Sequence, residues 1–283
     1  MELWISRIVA FCMTSVCVLT VVNLFIMLST DAVTIPFFEW YKFHDHQLTL
    51  TLRNNAVNAL FSMCFMSVAA VVGFFSSTYL HRDRGYLEFY FLFLVFVAAI
   101  LLVTYSAALD TLFIGWEFVG ICSVLLISFY KKRSGPVRNS FYVFICYRIA
   151  EFAMVTALLL IHSMFSSSDF NLLAEKSQTQ TVTHVLILVL IAIYVKSAQF
   201  PFMTWLPRAM EGPTPSSAIF YGGISTHMGV LLLIKFFPVL QVHPFICKAV
   251  IIFGLFSAAL AVAMGRIRAD IKSQLAYATI GEL

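Results

Sequence analysis

Eight apolar runs, each near the ~20 residues that carry a helix across a ~30 Å hydrocarbon core, decide what this chain can become. They fall at approximately 7–28, 55–79, 88–107, 109–129, 140–164, 183–207, 214–237 and 245–265, and a ninth begins at Ala269. Only 11% of the 283 residues are charged and 61% are hydrophobic, whereas soluble domains carry about 25% charged residues. A segment in lipid must satisfy its own backbone hydrogen bonds. The runs therefore predict an all-α fold, a polytopic transmembrane helical bundle of about eight complete spans and the start of a ninth. The first run lacks a small-residue cleavage site and reads as a retained span rather than a secretory signal. Between the first two spans, Gln47–Leu52 (QLTLTL) alternates polar and apolar residues, the period of a strand, and predicts a small β-hairpin outside the bilayer.

Lysine and arginine placement orients the bundle. With a cytoplasmic N-terminus, eleven of the 18 basic residues lie in inside segments, among them Arg82, Arg84, Lys131, Lys132, Arg133, Arg138 and Arg208. Five lie outside: Lys42, Arg53, Lys176, Lys235 and Lys248. The bias matches the positive-inside rule. Other classes of function find no support. There is no Walker motif, GxGxxG, HExxH or nucleophile elbow. No flavin, haem or iron–sulfur ligation pattern occurs, no basic tract suggests nucleic acid, and the six cysteines form no CxxC or zinc-ligand spacing. No disulfide, bound metal, cofactor or intrinsic catalysis is expected on this chain, and its immediate surrounding is the lipid bilayer.

Two basic residues, Arg148 and Lys196, fall inside spans, as do Glu117 and Glu151. Ionisable residues at membrane depth cost roughly 2.5–3.5 kcal/mol by insertion scales and generally mark ion or proton pathways. Lys196 stands just before a proline-broken stretch, Phe200–Pro201 to Leu206–Pro207. Proline removes a backbone donor, so a discontinuous helix is expected near 196–207, a feature that recurs at transporter binding sites. Shifting a carboxylate toward or away from a buried amine loads or unloads a proton, the behaviour of a switchable carrier. The plainer alternative is a lysine that snorkels to the interface. Glu117 lies in GWEFVG, whose glycines permit close helix approach; the alternative there is a satisfied packing residue. Arg148 and Glu151, three apart, share a helical face, as a gate in a proton path or as a scaffold ion pair. On the span 214–237, Ser217, Tyr221 and Ser225 recur every four residues as one polar stripe. His227 lies on a neighbouring face, as a proton relay or a hydrogen-bonded packing residue.

These segments resemble the antiporter-like membrane subunits shared by respiratory complex I, Mrp antiporters and related pumps. The resemblance rests on GWEFVG (115–120), YRIAEFA (147–153), KSAQFPFMTWLPRAMEGPTP (196–215) and DIKSQLAYATIGEL (270–283), and runs from about residue 38 to the end. Within that superfamily, FFSSTYLHRDRGY (74–86), GPVRNSFYVFICYRIAE (135–151) and PRAMEGPTPSSAIFYGGISTHMG (207–229) are closer to DabB, the membrane subunit of the DAB-type inorganic-carbon pump. Complex I subunits of the NuoL type usually have an aspartate where Arg208 stands and a histidine where Tyr221 stands.

The resemblance implies that Glu117 and Lys196 are paired proton-transfer residues, with Arg148 and Glu151 a neighbouring charged pair. It implies a single transmembrane antiporter-like domain over 1–283, with a first inverted repeat at approximately 88–237 and a second incomplete from about 245. The chain is then one half of a split subunit, partnered by a chain with the missing C-terminal helices, or a shortened gene product. As a pump subunit in a bacterial inner membrane, it would supply cation flux to a DabA-like zinc partner that hydrates CO2. As the alternative, it would be a proton-translocating subunit of a respiratory NADH:quinone oxidoreductase, bacterial or mitochondrial, among other complex I membrane subunits.

Overall fold

A computed structural model of the chain describes residues 2–43, 46–177, 182–221 and 223–283, without the side chains at 3, 39–43, 46–49, 220 and 221. Six of its helices are long and apolar enough to cross a membrane, so the protein is an integral, multi-pass membrane protein. They are α1 (Glu2–Met27), α2 (Ala56–Tyr79), α3 (Tyr86–Tyr105), α4 (Leu109–Ile127), α5 (Ser134–Phe165) and α11 (Pro244–Ile267), with α6 (Phe170–Lys176) a short connector. The remainder is α7 (Thr183–Lys196), α8 (Trp205–Ala209), α9 (Thr214–Tyr221), α10 (His227–Gln241) and α12 (Ile271–Glu282).

The discontinuous helix expected near 196–207 is present, and the span predicted over 214–237 is interrupted as well. Helix α7 has 14 residues, about 21 Å of rise, and cannot cross a ~30 Å core alone; α8 continues it after a turn. Helix α9 stops at Tyr221 and α10 starts at His227. Gly223 lies between them at φ +100, a conformation that costs glycine little and other residues much. Hydropathy counts apolar side chains and is blind to such a backbone reversal. The expected stripe of Ser217, Tyr221 and Ser225 along one helix is therefore not made. Ser225 sits in the turn, Ser217 donates to the Met210 carbonyl at 3.4 Å, and the side chain of Tyr221 lies outside the described residues.

The predicted hairpin is present: β1 (Val33–Phe43) pairs antiparallel with β2 (His46–Asn54), from Val33 opposite Asn54 to Phe43 opposite His46. Asn55 caps α2 directly after β2, its side chain accepting from the Asn58 amide, one of the otherwise unpaired donors of a helix start. The hairpin touches the turn between α3 and α4, where Leu52 bridges Ser106. At the opposite end the basic turns meet: Lys131 contacts Glu88 at 2.6 Å, beside Arg84 and Arg133. Basic residues assigned to the inside thus gather at one end, as a bundle with that topology requires.

The core is dominated by aromatic and β-branched side chains from α3, α4, α5 and α7, with Phe89, Phe93, Phe96, Trp116, Tyr147 and Val195 fully enclosed. By contrast α11 buries little, and Phe245, Ile252 and Leu255 stand exposed, surface suited to lipid or to another membrane helix.

Candidate proton-transfer site

Lys196 is the last residue of α7, where the helical ladder breaks. Ser197 N still donates to Ile193 O at 2.8 Å, but Ala198 N donates to Val195 O at 3.1 Å and Gln199 N to Tyr194 O at 2.8 Å. Irregular backbone at membrane depth persists only where protein satisfies it, and here three elements do. Trp205 Nε1 donates to Val195 O at 2.6 Å, Ser257 Oγ of α11 accepts from Phe200 N at 3.0 Å, and Gln199 Nε2 donates to Ile280 O of α12 at 3.3 Å. On the other side α10 presses against the break at Gly229. A Cβ there would overlap Ser197 Oγ and come within 3.0 Å of Ile193 O, so only glycine allows the approach.

The lysine does not snorkel. It is 1% exposed, and Nζ has no hydrogen-bond partner among the described residues. Its ammonium lies 4.2 Å from the centroid of the Tyr147 ring and 5.1 Å from that of Trp116. The negative faces of the two rings attract a cation. Tyr147 is held in turn by Trp205, edge to face at 5.2 Å.

The carboxylates are arranged differently from the expected Glu117–Lys196 pair. Arg148 reaches Glu117 at 3.1 Å and also bridges to Glu151, three residues on, so that contact follows the helical spacing. The long planar guanidinium spans two carboxylates, and Trp116, next to Glu117 in the chain, presents its ring to Lys196. Glu151 is buried against Gly120 of α4, where a Cβ would lie 3.1 Å from Oε1. Glu117 and Arg148 are more open, at 23% and 43% side-chain exposure.

Buried polar atoms without a hydrogen-bond partner among the described residues include Glu151 Oε1, Tyr147 Oη, Lys196 Nζ, Ser225 Oγ and His227 Nδ1. Native structures rarely leave such atoms orphaned, and bridging water is their usual partner. Tyr147 faces both Ser123 and Ser225. His227 opens on a cleft of about 500 Å³ whose wall includes Thr279 and Glu282 of α12. Lys196 thus lies against Tyr147, whose helix also carries Glu151, while Ser225 and His227 stand in and after the turn before α10, with Glu117 attached through Arg148. Sequence reasoning missed Tyr147 and Trp116. The signals were there: Tyr147 and Glu151 are four apart on one helical face, and Trp116 adjoins Glu117. No group of three His, Cys, Asp or Glu placed to hold a metal occurs among the described residues.

Residues 106–283 match the family described as NADH:quinone oxidoreductase/Mrp antiporter, transmembrane. The chain is 32% identical over 254 residues to NAD(P)H-quinone oxidoreductase chain 5 of Synechocystis sp., covering 87% of this chain and 37% of that protein. It is 29% identical to the chloroplastic subunit 5 of Spinacia oleracea, covering 99% of this chain and 39% of the relative. A solved Mrp complex from Dietzia sp. superimposes with a TM-score of 0.85 at 26% identity, over 98% of this chain and 31% of that one. The chain spans well under half the length of these relatives. The family match covers more than half of the chain, which belongs to the NADH:quinone oxidoreductase/Mrp antiporter transmembrane family.

Proposed function

We propose that this chain is a proton-translocating module of a larger membrane complex, of the type its chain 5 relatives represent. The observation that carries this reading is the set of unpartnered buried atoms on Glu151, Tyr147, Lys196, Ser225 and His227. Lys196 is the switching carrier: the rings of Tyr147 and Trp116 hold its charged form, and Glu151 approaches or retreats as Arg148 shares itself between two carboxylates. The proton leaves through Ser225 toward His227 and the cleft beyond it. Arg148 is 43% exposed at membrane depth, a surface that lipid tolerates poorly and that supports cover by a neighbouring membrane subunit.

The test is proton flux in vesicles holding the purified complex. Lys196→Ala should abolish it, and Lys196→Arg, which cannot release a proton at working pH, should do the same. Undiminished flux in either would remove Lys196 from the path.

A second reading, the membrane subunit of an inorganic-carbon pump, draws on the three segments resembling DabB and on Arg208. That residue stands over the Tyr142 ring at 4.0 Å, where the quinone-oxidoreductase pattern has an acid. Co-purification separates the readings: iron–sulfur and flavin subunits support the first, and one large zinc protein supports the second.

A further inference from the structure

At the hairpin end of the bundle, two basic side chains, Arg53 and Lys235, line one cleft. Arg53, the penultimate residue of β2, places a buried Nε with no hydrogen-bond partner among the described residues, while Nη1 donates to Asn171 Oδ1 at the start of α6. Lys235 of α10 donates from Nζ to Ser106 O at 2.8 Å and to Thr104 O at 3.1 Å, two of its three donors. Both line one cleft of about 230 Å³ together with Asn55 and Asn58 at the start of α2. Among the described residues, no acidic side chain lines that cleft.

Unpaired charge withdrawn from water is costly unless a counter-charge joins it. A guanidinium edge, an ammonium and amide donors match the oxygens of a phosphate. Basic pockets between membrane helices take lipid head groups for the same reason. The volume lies below the ~300–1,000 Å³ of ordinary small-molecule sites, so it suits one compact group. Val57 and Ile234, both on its rim, are exposed, and offer apolar surface on which an acyl chain can lie.

We propose that this cleft binds one phosphate-type oxyanion between Arg53 and Lys235, as free phosphate or as the head group of an acidic phospholipid. The test uses the purified full chain in nanodiscs of neutral phosphatidylcholine. Inorganic phosphate is added to one set, phosphatidylglycerol is built into another, and potassium chloride at matched ionic strength serves as reference. Thermal unfolding and native mass spectrometry are read on each. A rise of several degrees in Tm with a bound adduct is expected from phosphate or from the lipid, and which of them acts identifies the source. Arg53→Gln should lose both rise and adduct. The proposal is overturned if wild type gains neither adduct nor stability, if chloride gives the same shift, or if Arg53→Gln responds as wild type does. Should Arg53→Gln fail to fold, the wild-type adduct decides alone.

Discussion

Lys196 Nζ lies 4.2 Å from the ring centroid of Tyr147, so the buried amine faces an aromatic surface where a carboxylate partner would ordinarily stand. A desolvated cation–π contact contributes about 2 kcal/mol, equivalent to a roughly 30-fold preference for the charged form. Tyr147→Leu removes both ring and hydroxyl and should lower proton flux in reconstituted vesicles by about that factor. Tyr147→Phe keeps the ring and should lose much less. Equal losses in the two variants would show that the ring face contributes nothing.

Arg148 contacts two carboxylates at once, which makes its removal more damaging than removal of one acid. Arg148→Ala leaves Glu151 buried and unpaired, a situation that costs about 3–5 kcal/mol; the half-open position of Arg148 sets the expected loss near 3. Arg148→Ala combined with Glu151→Gln should recover most of it, because the stranded charge is gone. Unfolding followed by circular dichroism in mild detergent checks the cycle. Additive losses in the double variant would mean that the two side chains do not couple.

Much of this was legible beforehand, and the division has a physical basis. Long apolar runs report directly on burial in lipid, so α1 to α5 and α11 fall close to their predicted limits. The alternation in QLTLTL reports a strand, and the hairpin is there. The three-residue spacing of Arg148 and Glu151 fixes a shared face, and they touch. What escaped was tertiary: that α9 and α10 are separate helices, which depends on backbone geometry around Gly223, and that Arg148 reaches Glu117 as well as Glu151, which depends on how α4 and α5 approach. The aromatic cradle escaped too, because Trp116 and Tyr147 read as ordinary core residues in a chain this rich in rings.

Gly229 tests whether the break in α7 is held by packing. A methyl there collides with Ser197 Oγ and crowds Ile193 O, and overpacking of this kind costs about 1–3 kcal/mol. Ser197→Ala alone loses a hydrogen bond to Thr226 O at 3.2 Å, worth about 1 kcal/mol. Since Ser197→Ala removes the colliding oxygen, the double variant should be more stable than the sum of its parts. Proton flux in Gly229→Ala should fall as well, because the added methyl displaces the turn that carries Lys196.

Asp270 links stability to pH at the start of α12, outside the membrane. Its Oδ2 accepts from Ser273 N and from Ser273 Oγ, both at 2.9 Å, and these bonds, the backbone one first, hold the carboxyl below its ordinary range. A carboxyl depressed in the folded state contributes its full stability above its unfolded value, near 3.9, and loses it as pH falls through the folded value. The group is largely solvent-exposed, so its contribution stays within the ~1 kcal/mol of an ordinary N-cap. At pH 7, Asp270→Ala should therefore speed hydrogen exchange of the first α12 amides about 5-fold, as ~1 kcal/mol implies, whereas Asp270→Asn should change it little. As pH falls through the folded value the wild type and Asp270→Ala should converge, because the protonated acid accepts the Ser273 bonds poorly; a constant difference throughout the acid titration would mean that the cap does not depend on charge.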